Sequence, residues 1–264
     1  MSSHRRFPRL LALASLPFLA LVVVPLVALV ARTEVGELGQ QLVRADALRA
    51  IGLSLSTASL TVTIAVLFGT PLGYLLGRSA FPGRSIVDSL VDLPMVLPPS
   101  VAGVALLVAF GRRGLVGHAL ESMGVHIAFT TAAVVLAQLF VAAPYFVRAA
   151  AGAFARVDRD LEDSAALDGA TPWRVFRHIT APLVLPTLGA GAVMTWARAL
   201  GEFGATIIFA GNYPGRTQTM PLAIYIGFEI DLDLAIALSV ALLALSFAVL
   251  TTAKRVVRSG ALVD

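Results

Sequence analysis

The 264-residue chain contains no cysteine, so disulfide frameworks, thiolate metal sites and cysteine nucleophiles are excluded at once. Lysine is nearly as scarce: Lys254 stands alone beside nineteen arginines, outside any Gly-x-x-x-x-Gly-Lys-[Ser/Thr] pattern. Without that glycine-rich loop and its lysine there is no Walker-type phosphate cradle, which excludes ATP hydrolysis by that route. The four histidines are scattered, no His-Glu-x-x-His spacing occurs, and no metal site is expected. Charge of either sign is sparse, at 14% of residues against about 25% in a soluble domain. With 58% hydrophobic residues, so little charge cannot cover a water-facing globule.

What is present is apolar sequence in long runs. A hydrocarbon core about 30 Å thick takes about 20 apolar residues of helix. Six stretches reach that length: 10–31, 50–77, 93–111, 127–147, 183–210 and 234–253. Backbone polar groups in lipid must be satisfied internally, so each is read as a helix. Arg5, Arg6 and Arg9 precede the first run as they would in a signal peptide. Its length and the lack of a small-x-small cleavage site predict a retained helix instead.

Arginine and lysine set the orientation. An inside N-terminus puts thirteen of them on one side and six on the other, with Arg198 left within a span. The expected fold is an all-α membrane protein, one domain over 1–264, with six transmembrane helices and both termini cytoplasmic. The net charge of +4 is accounted for by arginines beside spans, so no nucleic-acid partner is expected.

The longest polar segment, 148–181, lies on the basic side. Asp160 reads as an N-cap with Asp163 three residues on, and Gly169 as the left-handed residue that ends a short helix. Ser164, Ala165 and Ala166 leave that helix a thin surface. Thr171-Pro172 starts a second helix, with Trp173, Phe176 and Ile179 on one apolar face and Arg174, Arg177 and His178 on the other. Pro182 and Pro186 limit its continuation as a straight rod. By spacing alone, this segment reads equally well as an ordinary capped loop.

Asp163-Ser-Ala-x-x-x-Gly169, nine residues, then Ile179-x-Ala-Pro182 resembles the cytoplasmic signature of ABC importer permeases, Glu-Ala-Ala-x-x-x-Gly-x₉-Ile-x-Leu-Pro. Asp163, Ser164 and Ala181 depart from it mildly, while Gly169, Ile179 and Pro182 keep their spacing. The resemblance implies a coupling helix seated on a separate ATPase subunit, with Glu162, Asp163, Ser164, Ala165, Gly169 and Ala170 as the coupling residues. ATP and magnesium would be bound by that partner, leaving this chain without a cofactor.

Two more regions narrow the family. Leu93-Pro-Met-Val-Leu-Pro-Pro99 with Phe110-Gly-Arg-Arg-Gly-Leu-Val-Gly117 resembles molybdate permeases. So does Arg198-Ala-Leu-Gly-Glu-Phe-Gly-Ala-Thr206 with the run from Gly211 to Tyr225. The resemblance covers roughly residues 50 to 255. It implies molybdate import in a prokaryotic cell membrane, two ATPase subunits and an extracytoplasmic molybdate-binding protein. Tungstate is the near alternative because the two oxyanions match in size and charge, and sulfate or thiosulfate permeases share the Gly-Glu-Phe-Gly core. Six spans are too few for a two-lobed transporter, so a homodimer is expected.

Within the spans, Arg198 and Glu202 stand four residues apart, where an ionisable group costs about 3 kcal/mol at the bilayer centre. Arg before Glu is the weaker order on one helix, so a partner on another helix is expected. Ser100, Arg198, Glu202 and Thr206 are the candidates for the translocation path or its gate. A purely structural ion pair is the competing reading, and Gly201, Gly204 and Thr206 offer backbone and hydroxyl groups to a passing ion. Leu97-Pro98-Pro99-Ser100 breaks the third span, as a packing kink or as a hinge. Gly69, Gly73 and Gly77 share one face of the second, for close packing within the subunit or across a dimer. Glu229, Asp231 and Asp233 read as a solvated outer run or a docking site for a binding protein. No nucleophile paired with a base appears in any span, so no catalytic residue is assigned and the chain is not expected to be an enzyme.

Overall fold

The computed structural model describes residues 6–260, and every regular element among them is helical. The order is α1 (Arg6–Ala31), α2 (Val35–Leu42), α3 (Ala45–Arg78), α4 (Arg84–Val96), α5 (Pro99–Phe110), α6 (Gly117–Ser122) and α7 (Thr131–Ala155). Then come α8 (Arg159–Leu167), α9 (Pro172–Val175), a π-helical turn (Phe176–Thr180), α10 (Ala181–Leu200), α11 (Gly204–Phe209), α12 (Met220–Ile230) and α13 (Leu232–Gly260). Five stretches are long and apolar enough to cross a bilayer, and α4 with α5 makes a sixth if that bent pair counts as one span.

Apolar helix lies at each of the six expected stretches, but three differ in shape. The third is two helices meeting at 116°, because Leu97 takes an extended backbone before Pro98 and Pro99. The fifth ends at Leu200 rather than 210, and α11 resumes after a break at Gly201–Phe203. The fourth runs eight residues past its expected end, through Arg148. That charge is tolerated because Asp88 and Asp92 of α4 take both sides of its guanidinium, the Asp88 contact at 2.6 Å. The short helices α2, α6 and α12 were not expected.

The centre of the bundle is the pair α3 and α7. A Cβ built on Gly69, Gly73 or Gly77 of α3 would stand 2.9, 2.5 and 2.5 Å from Phe146, Ala150 and Ala151 of α7 respectively. The glycine face therefore serves packing within the subunit, at a distance only hydrogen side chains allow. Thr61 adds a hydroxyl donated to the buried Gln138 Oε1 at 3.1 Å across the same interface. On α10, Val184 joins Phe146, Ala150 and Phe154 in one cluster, and Gly191 packs against Ala149.

α3 and α7 run from a shared far end to a shared near end, where α8 sits. At the far end Met220 N–H donates to Ser54 Oγ at 2.7 Å and Thr131 donates to Arg216 O at 2.8 Å. Arg44 bridges there to Asp231 at 2.7 Å, and its hydrogen bonds to Asp231 and Asp46 hold its guanidinium above the ordinary value. Asp231 is thus tied down rather than merely solvated, and its other oxygen accepts Leu234 N–H at the start of α13.

Candidate functional site

α8, at the near end, has no buried residue. Its N-cap is Asp158, not the expected Asp160: Asp158 has the extended backbone and accepts Asp160 N–H at 3.0 Å. The spacing rule could not separate the two acids; only the backbone decides which lies outside the helix. Gly169 is left-handed as expected, with φ +86°. Gly169 N–H donates to Ala166 O and Ala170 N–H to Ala165 O, both at 3.0 Å, which completes a Schellman motif. Both ends are closed, so the nine-residue helix is stiff. Asp163 and Ser164 are exposed, and Ala165 and Ala170 half-buried. Leu161 and Leu167 are 50% and 89% exposed, an apolar surface beside small residues that is left open among the described residues.

Glu162 differs from its neighbours. Its carboxylate turns back into the bundle, where it accepts from Arg78 at the end of α3 and from the Thr180 hydroxyl. Sequence reasoning assigned it with the residues facing a partner and had no signal for Arg78 or Thr180.

After α8, Thr171 caps α9 by accepting Arg174 N–H at 3.4 Å, as expected. The helix then continues through Pro182 and Pro186 to Leu200, past the prolines expected to limit it as a straight rod. A π turn absorbs the first proline: Ala181 N–H reaches back five residues to Phe176 O, which opens room around the ring of Pro182. Val175 and Thr180 are buried here, while Trp173 stays 66% exposed, stacked on Phe176 rather than buried on a common face.

The second set of candidates lies near the middle of the bundle, where Leu200 packs with Ala142 of α7 and Ala58 of α3. Here α10 stops. Arg198 donates to Glu202 Oε2 at 3.0 Å, so its partner is its neighbour in sequence and not the expected group on another helix. Glu202 is 1% exposed, and its other oxygen accepts Ala205 N–H at 2.9 Å. One carboxylate thus neutralises Arg198 and satisfies a free donor in the first turn of α11. Gly204 packs against Pro99, close enough that a Cβ would stand 2.6 Å from the proline Cβ. The two broken helices therefore meet, with Ser100 next to the contact. Ser100 is exposed and Arg198 partly so, whereas Thr206 is fully buried and exposes no hydroxyl in this conformation. Interrupted helices meeting at mid-depth beside a charged side chain are the usual form of a transporter's substrate region.

A cavity of about 800 Å³ opens at the far end between α5, α6 and the loop after α11, lined by Arg112, Glu121, His126, Phe129, Tyr213 and Arg216. Phe129 is the single described non-glycine residue at positive φ (62°), held by its N–H to Phe209 O. Nothing in the sequence pointed to this strain. Among the described residues no group of His, Asp and Glu is arranged to hold a metal.

Residues 69–257 match the family described as binding-protein-dependent transport system inner membrane component. The chain is 43% identical over 241 residues, 90% of each chain, to the molybdenum transport system permease protein ModB of Mycobacterium tuberculosis (strain ATCC 25618 / H37Rv). It is 40% identical over 203 residues to the molybdate/tungstate transport system permease protein WtpB of Thermococcus kodakarensis, covering 77% of this chain and 76% of that one. A bacterial ABC transporter involved in import of the acidic polysaccharide alginate has a chain with the same fold, at TM-score 0.75 and 17% identity over 96% of this chain and 95% of that one.

Proposed function

This chain belongs to the binding-protein-dependent transport system inner membrane component family, and from that premise we propose that it carries molybdate through the cell membrane as the permease subunit of an ATP-driven importer. The observation that carries the mechanism is α8: rigid, capped at both ends, unburied, and presenting Leu161, Asp163, Ser164 and Leu167 outward. A short helix of that kind transmits force without bending, and it would seat in a groove of a separate ATPase subunit, which binds ATP and magnesium. The excess of arginine on its side of the chain supports a cytoplasmic near end and cytoplasmic termini.

Two copies of the chain would form the path, each with one ATPase, and an extracytoplasmic molybdate-binding protein would deliver the anion to the far end. Closure of the ATPases pushes the two α8 helices, and the bundles switch between inward-open and outward-open. At mid-depth the half-exposed Arg198 offers positive charge to a dianion, while Glu202 holds that charge in check so that the ion is passed on rather than trapped. Tungstate has the same shape and charge as molybdate, and the likeness to a molybdate/tungstate permease favours transport of both.

Uptake of labelled molybdate into vesicles holding the permease, its ATPase and its binding protein tests this. Uptake that requires ATP and is competed by excess tungstate but not by sulfate supports it. Uptake competed equally by sulfate would move the substrate to the sulfate class, and uptake without ATP would remove the mechanism.

A further inference from the structure

Glu162 of α8 has two side-chain partners in the membrane bundle, while the exposed Arg159 adds a longer contact by donating to Arg78 O at 3.4 Å. One carboxylate oxygen accepts from the Arg78 guanidinium and the other from the Thr180 hydroxyl. Arg78 is the last residue of α3, with a side chain only 8% exposed, and it also donates to Val157 O in the link between α7 and α8 at 2.9 Å. Thr180 is the last residue of the π turn and is 1% exposed. One side chain therefore ties α8 to the foot of α3 and to the foot of α10, and through Arg78 to the end of α7.

These attachments differ mechanically. α3 is locked to α7 by the glycine contacts, so Arg78 belongs to a stiff body. Thr180 heads the long helix that carries Arg198 and ends at Leu200, at the mid-depth break. The links on either side of α8 are short loops that would otherwise let it swivel. Charge-assisted hydrogen bonds hold geometry better than neutral ones. The π turn, which adds a residue to the helix, is what turns Thr180 toward the carboxylate.

We propose that Glu162 is a positioning residue for transport: it faces away from the ATPase and converts displacement of α8 into movement of α3 and α10. This deepens the coupling role given to α8 above and rests on it. It also separates Glu162 from Asp163 and Ser164, whose exposed side chains suit contact with a partner.

The test uses the complete complex in vesicles and reads two quantities: ATPase subunits retained per permease after purification, and ATP hydrolysed per molybdate taken up. Glu162→Gln keeps an acceptor for Thr180 but removes the counter-charge of Arg78; Thr180→Val removes the hydroxyl at constant size. Both are expected to retain the ATPase at normal stoichiometry while ATP consumed per molybdate rises about tenfold, the scale of losing one hydrogen bond to a charged group. A merely structural role would lower the amount of active complex and leave that ratio unchanged, which would overturn the proposal. Loss of the ATPase from Glu162→Gln would overturn it too, because Glu162 would then be a docking contact. If Glu162→Gln does not accumulate, Thr180→Val decides by the same ratio. Ser164→Trp on the exposed face is the parallel arm: it is expected to shed the ATPase, and retention with normal uptake would sink the docking role of α8 itself.

Discussion

Gly73 of α3 faces Ala150 of α7 so closely that a Cβ on the glycine would stand 2.5 Å from the alanine Cβ, with Ala151 N at 3.1 Å behind it. Real Cβ atoms do not approach so near, so the two helices must part if anything larger is placed there. Gly73→Val should lower stability by about 2 kcal/mol, the usual scale of overpacking in a tight core. Thermal unfolding in detergent measures it. A double variant with Ala150→Gly should recover part of the loss.

The Glu202 carboxylate has two obligations, to Arg198 and to Ala205 N–H. Glu202→Ala leaves a guanidinium without its counter-charge and a donor without an acceptor. Because Arg198 is 31% exposed, the cost should be about 2–3 kcal/mol, below that of breaking a fully buried pair. Glu202→Gln, which keeps an acceptor, should cost less. Melting of the purified complexes separates the two, and equal melting points would show that the ion pair adds nothing.

Arg148 is a clamp on the first half of the broken span. It touches Asp88 and Asp92, one turn apart on α4, and donates to Asp88 O at 2.8 Å. Val87 and Val91 hold the same helix against Val147 and Leu76. Arg148→Gln should free α4 without unfolding α7. Hydrogen exchange should then quicken about tenfold or more in 84–96 and remain unchanged in 131–147, if the clamp is worth the usual 1.5–3 kcal/mol of hydrogen bonds to a charged group.

Gly169 is at φ +86° with open space around its Cβ position, so a substitution there strains backbone and not packing. Gly169→Val should cost about 1–2 kcal/mol locally and loosen the Schellman turn. The expected outcome is a permease of normal abundance whose uptake falls while ATP hydrolysis continues. Normal uptake at normal expression would count against the turn as part of the lever.

The spans were legible because lipid forces every backbone donor to pair within its own segment, and a run of apolar residues is enough to announce that. Their ends were not, since an end depends on who neutralises a charge. Arg148 stays inside α7 because of carboxylates 56 and 60 positions earlier, and no spacing rule connects them. Gly169 and Thr171 were legible because turns and caps are local chemistry. Arg198 and Glu202 were recognised as a pair, but the break between them was not, since it is fixed by Pro99 packing on Gly204 from another helix. The inward turn of Glu162 was hidden for the same reason: its partner Arg78 lies 84 residues away.

The exposed face of α8 is the claim on which the transport mechanism turns, and the absence of cysteine makes it directly measurable. Ser164→Cys places a single thiol on that face. In membrane vesicles a thiol reagent that cannot cross the bilayer should label it only from the side where nucleotide acts, and bound ATPase should shield it. Labelling from the opposite side, or labelling that the ATPase leaves unchanged, would contradict the account.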